Sequence, residues 1–192
     1  MEMQPGEHQG LLEGKAQLQR GRNAHVAKQI DMKENDKMAE NIKLYGAYGS
    51  NMNLEQMRHR CPKAKIIGIG TLEGYKLTFR GRYKGVANIE PCKSKEVPIV
   101  LWEITEDCET ALDLYEGYPN LYIKKEVQVK VKGKSKTVMV YIMAKQYTHM
   151  VAAPTEYYFN VISRGYSDND IELKPLQIAY SECLSELIDG RK

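Results

Sequence analysis

From Ala64 to Ile104 the chain is a succession of apolar, β-branched runs, each cut short by glycine. Ala64–Thr71, Tyr75–Arg80, Val86–Ile89 and Val97–Ile104 read as strands. Gly68, Gly70, Gly74, Gly81 and Gly85 read as the bulges and tight bends that punctuate them. Strands this short and this often bent favour a strongly twisted sheet that curls toward closure. No regular alternation of strand and helix accompanies them, so a parallel, doubly wound sheet is not expected. The fold class expected is α+β: a small mixed twisted β-barrel, partly closed, with surrounding helices.

The remaining punctuation is local and specific. A short strand, Leu44 to Tyr48, runs through Gly49-Ser50-Asn51 into a helix over 54–60, which Cys61-Pro62 closes. Thr105-Glu106-Asp107 supplies an N-cap and an acidic first turn for a helix reaching Glu116, and Gly117 and Pro119 end it. Leu121–Val131 and Thr137–Met143 alternate with period two around Lys132-Gly133-Lys134, which reads as a long hairpin. Pro154-Thr155-Glu156 opens a further helix through Arg164, with Gly165 expected to stop it. A last short helix is expected over about Ser181 to Ile188.

Residues 1–42 differ from the rest of the chain. They hold no aromatic residue and are rich in Gln, Glu, Lys, Asn and Gly, so they bury too little to fold alone. They read as a polar extension, disordered or partly helical, ahead of a domain over 43–192. Composition excludes several function classes. The net charge of +3 is small and the basic residues are dispersed, which gives no nucleic-acid footprint. The lysines between Lys124 and Lys136 alternate with Val and Ile as the solvated face of a hairpin would. Cys61, Cys92, Cys108 and Cys183, like His8, His25, His59 and His149, are scattered, which argues against a metal site or a disulfide framework. There is no apolar leader and no run long enough to span a membrane, so a reduced cytoplasmic setting is expected.

Two places could carry chemistry. A strand that turns through glycine into a helix N-terminus aims several backbone N–H groups at one spot, where a carboxylate or a developing oxyanion can bind. Tyr48-Gly49-Ser50-Asn51-Met52 is such a turn. The bland alternative is a structural cap, since Asn53 and Gln56 are spaced as a capping box. Glu116 lies in the last helical turn, at the negative end of the macrodipole, among Leu112, Leu114, Tyr115 and Tyr118. Both features raise a carboxyl pKa and suit a general base that later acts as an acid. On the residues alone, a solvated glutamate that tolerates its position is the preferred reading. Gly68-Ile69-Gly70 lacks the third glycine of a dinucleotide fingerprint and reads as bulged strand.

Taken in order, these segments resemble the gamma-glutamylcyclotransferase-like family. Tyr48-Gly49-Ser50-Asn51-Met52 is similar to its YGSN loop, and Gly70-Thr71-Leu72 with Gly74-Tyr75, Leu77 and Phe79 to the stretch after that loop. Gly85-Val86-Ala87-Asn88-Ile89 resembles its next strand, and Leu112-Asp113-Leu114-Tyr115-Glu116-Gly117 the segment bearing its catalytic glutamate. Pro154-Thr155-Glu156-Tyr157-Tyr158 is similar to its late helix, with Thr155 where the family has Ser. The resemblance spans about residues 44–168. It implies that Glu116 is catalytic and that Tyr48, Gly49, Ser50, Asn51, Met52, Tyr122 and Tyr158 contact substrate. It further implies a small-molecule γ-glutamyl substrate cyclised to 5-oxoproline, no cofactor or metal, no nucleic-acid or membrane partner, and a homodimer. The leaving group stays open between an amino acid, a free amine, a lysine side chain and a protected intermediate. Two other functions stay open as well: a non-catalytic binding module for acidic metabolites, and acyl transfer to an external amine.

Overall fold

The computed structural model describes residues 42–190, so the extension read over 1–42 lies, but for Ile42, outside the described residues. Five strands close a barrel: β1 (Lys43–Ala47), β2 (Lys65–Arg80), β3 (Val86–Ile104), β4 (Tyr122–Val131) and β5 (Lys134–Met143). Around the barrel the order is β1-β3-β2-β4-β5, and β5 returns to β1. Every neighbouring pair is antiparallel except β1 with β5, which run parallel through the pair Tyr45↔Met139. Among the described residues four α-helices accompany the barrel: α1 (Leu54–Arg60), α2 (Glu106–Glu116), α3 (Glu156–Asp168) and α4 (Lys174–Asp189).

The four short runs expected between Ala64 and Ile104 are two long strands. Gly68 and Gly74, both at positive φ, sit at register shifts inside β2 instead of ending it. Opposite Gly74 the pairing jumps from Glu73↔Glu96 to Tyr75↔Pro91, so Cys92–Lys95 bow out of the ladder. A bulge increases local twist without interrupting the partner strand, which is how two long strands wrap around so small a barrel. The β4–β5 hairpin turns through Lys132 and Gly133, both at positive φ, as a two-residue connection between right-twisted strands requires.

The core lies inside the barrel and beneath the helices. Ile99, Val100 and Leu101 are all fully buried, because β3 has the barrel interior on one face and covering elements on the other. The helix caps follow local chemistry. The Asn53 side chain accepts from Gln56 N, Thr105 from Cys108 N and Thr155 from Tyr158 N. Gly117 ends α2 in the left-handed conformation.

Two sequence expectations need correction. Gly165 does not stop α3; it lies inside a helix that continues to Asp168. A Cβ there would come within 2.8 Å of the Met52 carbonyl carbon, so glycine serves a close helix–turn approach and not a stop. The last helix is longer than expected, starting at Lys174 with Pro175 in its first turn, a position that costs it no hydrogen bond.

Candidate active site

After β1 the chain enters a single 3₁₀ turn, Ser50–Met52, before α1 begins. The turn uses the N–H groups of Met52 and Asn53, which donate to Gly49 O and Ser50 O at 3.0 and 3.1 Å. The N–H groups of Ser50 and Asn51 fall outside this bonding. Successive side chains of a 3₁₀ turn are about 120° apart. Ser50 and Asn51 therefore line a cavity of about 200 Å³ while Met52 points into the core and is fully buried. From outside the turn, α3 clamps it: Asn169 donates to Met52 O at 2.9 Å, and Asp168 accepts from Leu54 N at 3.3 Å.

The cavity also receives Glu116 from the last turn of α2, Tyr45 and Tyr48 from β1 and the residue after it, Tyr122 from β4, Tyr141 from β5 and Tyr158 from α3. Most of these phenols are already committed. Tyr122 donates to Ala87 O, Tyr158 accepts from Ala87 N at 3.2 Å, and Tyr48 donates to Tyr141 O. Tyr141 donates to Asp113 at 2.6 Å. Burial pushes all five tyrosines above their ordinary range, so they remain neutral and supply walls instead of charge.

Glu116 is half-buried among these rings, and its Oε1 accepts from Asn51 Nδ2 at 2.9 Å. Burial lifts its carboxyl to about 7, against the opposing pull of the Arg60 cation and the Asn51 hydrogen bond, both of which favour the charged form. A carboxyl poised there can accept a proton and return it near neutral pH. A second, larger and more open groove of about 580 Å³ lies between the bulged part of the β2–β3 hairpin and α4. Its lysines and glutamates are solvated surface groups, several already paired, as Lys95 is with Glu182. It holds nothing comparable to Glu116.

Of the residues singled out in the sequence, Tyr48, Gly49, Ser50, Asn51, Glu116, Tyr122 and Tyr158 meet around one cavity, and Met52 does not face it. Tyr45, Tyr115, Tyr141 and Arg60 complete the surroundings and are not among the residues singled out. An aromatic residue within an otherwise aliphatic strand, as at Tyr45 and Tyr141, is the signal that could have found two of them.

The sequence profile of the family described as gamma-glutamyl cyclotransferase, AIG2-like, matches residues 45–159. The chain belongs to that family. The gamma-glutamylcyclotransferase of Homo sapiens is 30% identical over 141 residues, covering 68% of this chain and 73% of the human protein. That of Mus musculus is 30% identical over 138 residues, covering 67% and 72%. A solved gamma-glutamyl cyclotransferase shares the fold with a TM-score of 0.65 at 28% identity, spanning 72% of this chain and 86% of its own. YkqA of Bacillus subtilis, at 20% identity and a TM-score of 0.59, shares the fold alone. Among the described residues of this family member, no helix is long and apolar enough to cross a membrane.

Proposed function

We propose that this member of the gamma-glutamyl cyclotransferase family cleaves a γ-glutamyl amide by intramolecular aminolysis, releasing 5-oxoproline and an amine or amino acid, with Glu116 as the proton shuttle. The observation that carries this reading is the half-buried Glu116 carboxyl, raised to about 7 and facing the cavity beside the Gly49–Asn51 turn.

The chemistry asks little of the protein beyond shape and one proton carrier. The α-ammonium of the glutamyl group gives a proton to the Glu116 carboxylate. The freed amine attacks the δ-carbonyl of the same molecule, forming the C–N bond of the five-membered lactam. The tetrahedral centre collapses as the old C–N bond breaks, and Glu116 returns the proton to the departing nitrogen. The ring nitrogen gives its surplus proton to the re-ionised Glu116 and on to solvent, leaving the neutral lactam. Nucleophile and electrophile are already joined, so the cavity serves to hold the glutamyl chain bent. The N–H groups of Ser50 and Asn51 are available for the substrate α-carboxylate or the oxyanion, and one donor to the latter is worth about 3 kcal/mol in the transition state.

The test is 5-oxoproline release from a panel of γ-glutamyl dipeptides, γ-glutamylamines and γ-glutamyl-lysine isopeptides, with Glu116→Gln in parallel. Release by the native chain and its loss in the folded variant are expected. Undiminished release by Glu116→Gln removes the assigned role. Binding of the panel compounds without any release would favour a non-catalytic binding module, and transfer to an added amine would favour external acyl transfer.

A further inference from the structure

Arg60 ends α1, and its half-buried side chain lies behind the cavity, on the Ser50 and Asn51 side chains and the Tyr115 ring. Its guanidinium carbon lies 3.5 Å from the centre of the Tyr115 ring, the residue that precedes Glu116. One nitrogen, Nη1, donates to Asn51 Oδ1 and, at 3.3 Å, to Ser50 Oγ; the other, Nη2, donates to Gln56 Oε1. Asn51 is buried, and its Nδ2 is shared between Tyr45 Oη at 2.8 Å and Glu116 Oε1 at 2.9 Å.

This chain of contacts permits only one orientation of the Asn51 amide. A guanidinium has donors and no acceptor, and an ionised carboxylate has acceptors and no donor. With Oδ1 on Arg60 and Nδ2 on Glu116, every contact is complementary. Turned over, the amide would set N–H against guanidinium and oxygen against carboxylate. We infer that Arg60 is a positioning residue that acts through Asn51, locking its amide so that an N–H always faces Glu116 and holds the carboxylate in one place. The inference rests on the cyclotransferase reading for its catalytic meaning, but the positioning itself does not.

Lysine is no substitute for this role. The arrangement needs a planar fork that reaches three acceptors while lying over an aromatic ring, and an ammonium offers no such fork. The guanidinium also places positive charge near Glu116. The other groups facing that carboxyl are Tyr45 and Tyr48 from the β1 side, Tyr115 from α2, Tyr122 from β4, Tyr141 from β5 with Asp113 behind it, and Tyr158 from α3. Loss of the cation and loss of the ordered Asn51 donor both act to raise the Glu116 pKa.

The experiment compares native protein, Arg60→Met and Arg60→Lys by carbon-13 NMR titration of Glu116 and by kcat and KM against pH. The substrate is whichever γ-glutamyl compound the native chain turns over. In Arg60→Met, the Glu116 titration and the acid limb of kcat are expected to move to higher pH together. kcat is expected to fall on the order of ten- to a hundredfold, with KM changed less than about threefold. Arg60→Lys is expected to restore most of the titration and little of kcat, which also covers the case in which the methionine variant does not fold. An unmoved Glu116 titration in folded Arg60→Met, or full kcat in Arg60→Lys, overturns the inference and leaves Arg60 a clamp on Tyr115. A moved titration in a chain that turns over no γ-glutamyl compound keeps the positioning and removes the cyclotransferase reading.

Discussion

Gly165 of α3 faces Met52 so closely that a Cβ on it would lie 2.8 Å from the Met52 carbonyl carbon and 2.7 Å from Asn53 N. These contacts are to backbone, which has little freedom to yield. Gly165→Ala is expected to destabilise the protein by about 1–3 kcal/mol despite the better helix propensity of alanine. It should also shift the Ser50–Met52 turn and raise KM more than it lowers kcat. Urea denaturation with parallel kinetics checks both; an alanine variant as stable as native would show that α3 can retreat without cost.

Glu116 couples stability to pH. Its folded pKa of about 7 stands above the unfolded value of 4.5, so between these pH values the folded state holds the extra proton. Stability from this group is therefore full below pH 4.5 and is lost as pH rises through 7. Glutamine mimics the neutral acid and escapes that loss. Glu116→Gln is expected to gain about 1–3 kcal/mol over the native chain between pH 5 and pH 8, the range reflecting partial solvation of the site. A stability difference that does not change with pH would contradict a raised pKa.

Tyr122 and Tyr158 converge on one residue's backbone, the first donating to Ala87 O and the second accepting from Ala87 N. Replacing either by phenylalanine is expected to cost about 1 kcal/mol, since each leaves a backbone group at the cavity without its partner. Because both act on the same residue, the double variant should depart from additivity. A double-mutant cycle measured by thermal unfolding gives the coupling; a coupling of zero would mean that Ala87 exchanges its partners for water freely.

Arg80 binds α4 to the barrel. Its side chain is 6% exposed, with Nε 2.7 Å from Glu90 and Nη1 2.9 Å from Glu186 in α4. Arg80→Met leaves two partly solvated carboxylates facing each other and is expected to cost about 2–4 kcal/mol, with kcat of the surviving enzyme unchanged because the site lies elsewhere. Hydrogen exchange should show α4 opening first. Protection of α4 equal to native would argue that its apolar contacts alone hold it.

What the sequence made legible was governed by near neighbours. Asn53, Thr105 and Thr155 cap helices through side chains that reach only three residues ahead, and the Lys132-Gly133 turn is set by the twist of the strands it joins. What it hid was governed by distant partners. Gly165 looks like a helix stop until Met52, more than a hundred positions earlier, is seen against it. Gly74 looks like a strand end until β3 is seen to continue past it. In the candidate site the Gly49–Asn51 turn and Glu116 carry local signatures. Arg60 and Tyr115 do not, because packing between α1 and α2 brings them there; Tyr45 and Tyr141 stand out only as aromatics in aliphatic strands, and closure of the barrel is what joins them. Met52 groups with its neighbours in the sequence by adjacency alone, and the tight turn sends it the other way.

The parallel junction between β1 and β5 has a consequence for how the molecule comes into being. Tyr45 and Tyr48 belong to the first strand and its end, Tyr141 to the last strand, and the Tyr48–Tyr141 hydrogen bond joins residues 93 positions apart. Contacts of such long sequence separation are slow to form, since the chain must give up the freedom of a large loop before they stabilise anything. The cavity straddles that seam, so its tyrosine wall is complete only once the first and last strands have met. Any turnover at this site would therefore count only molecules in which the barrel is closed.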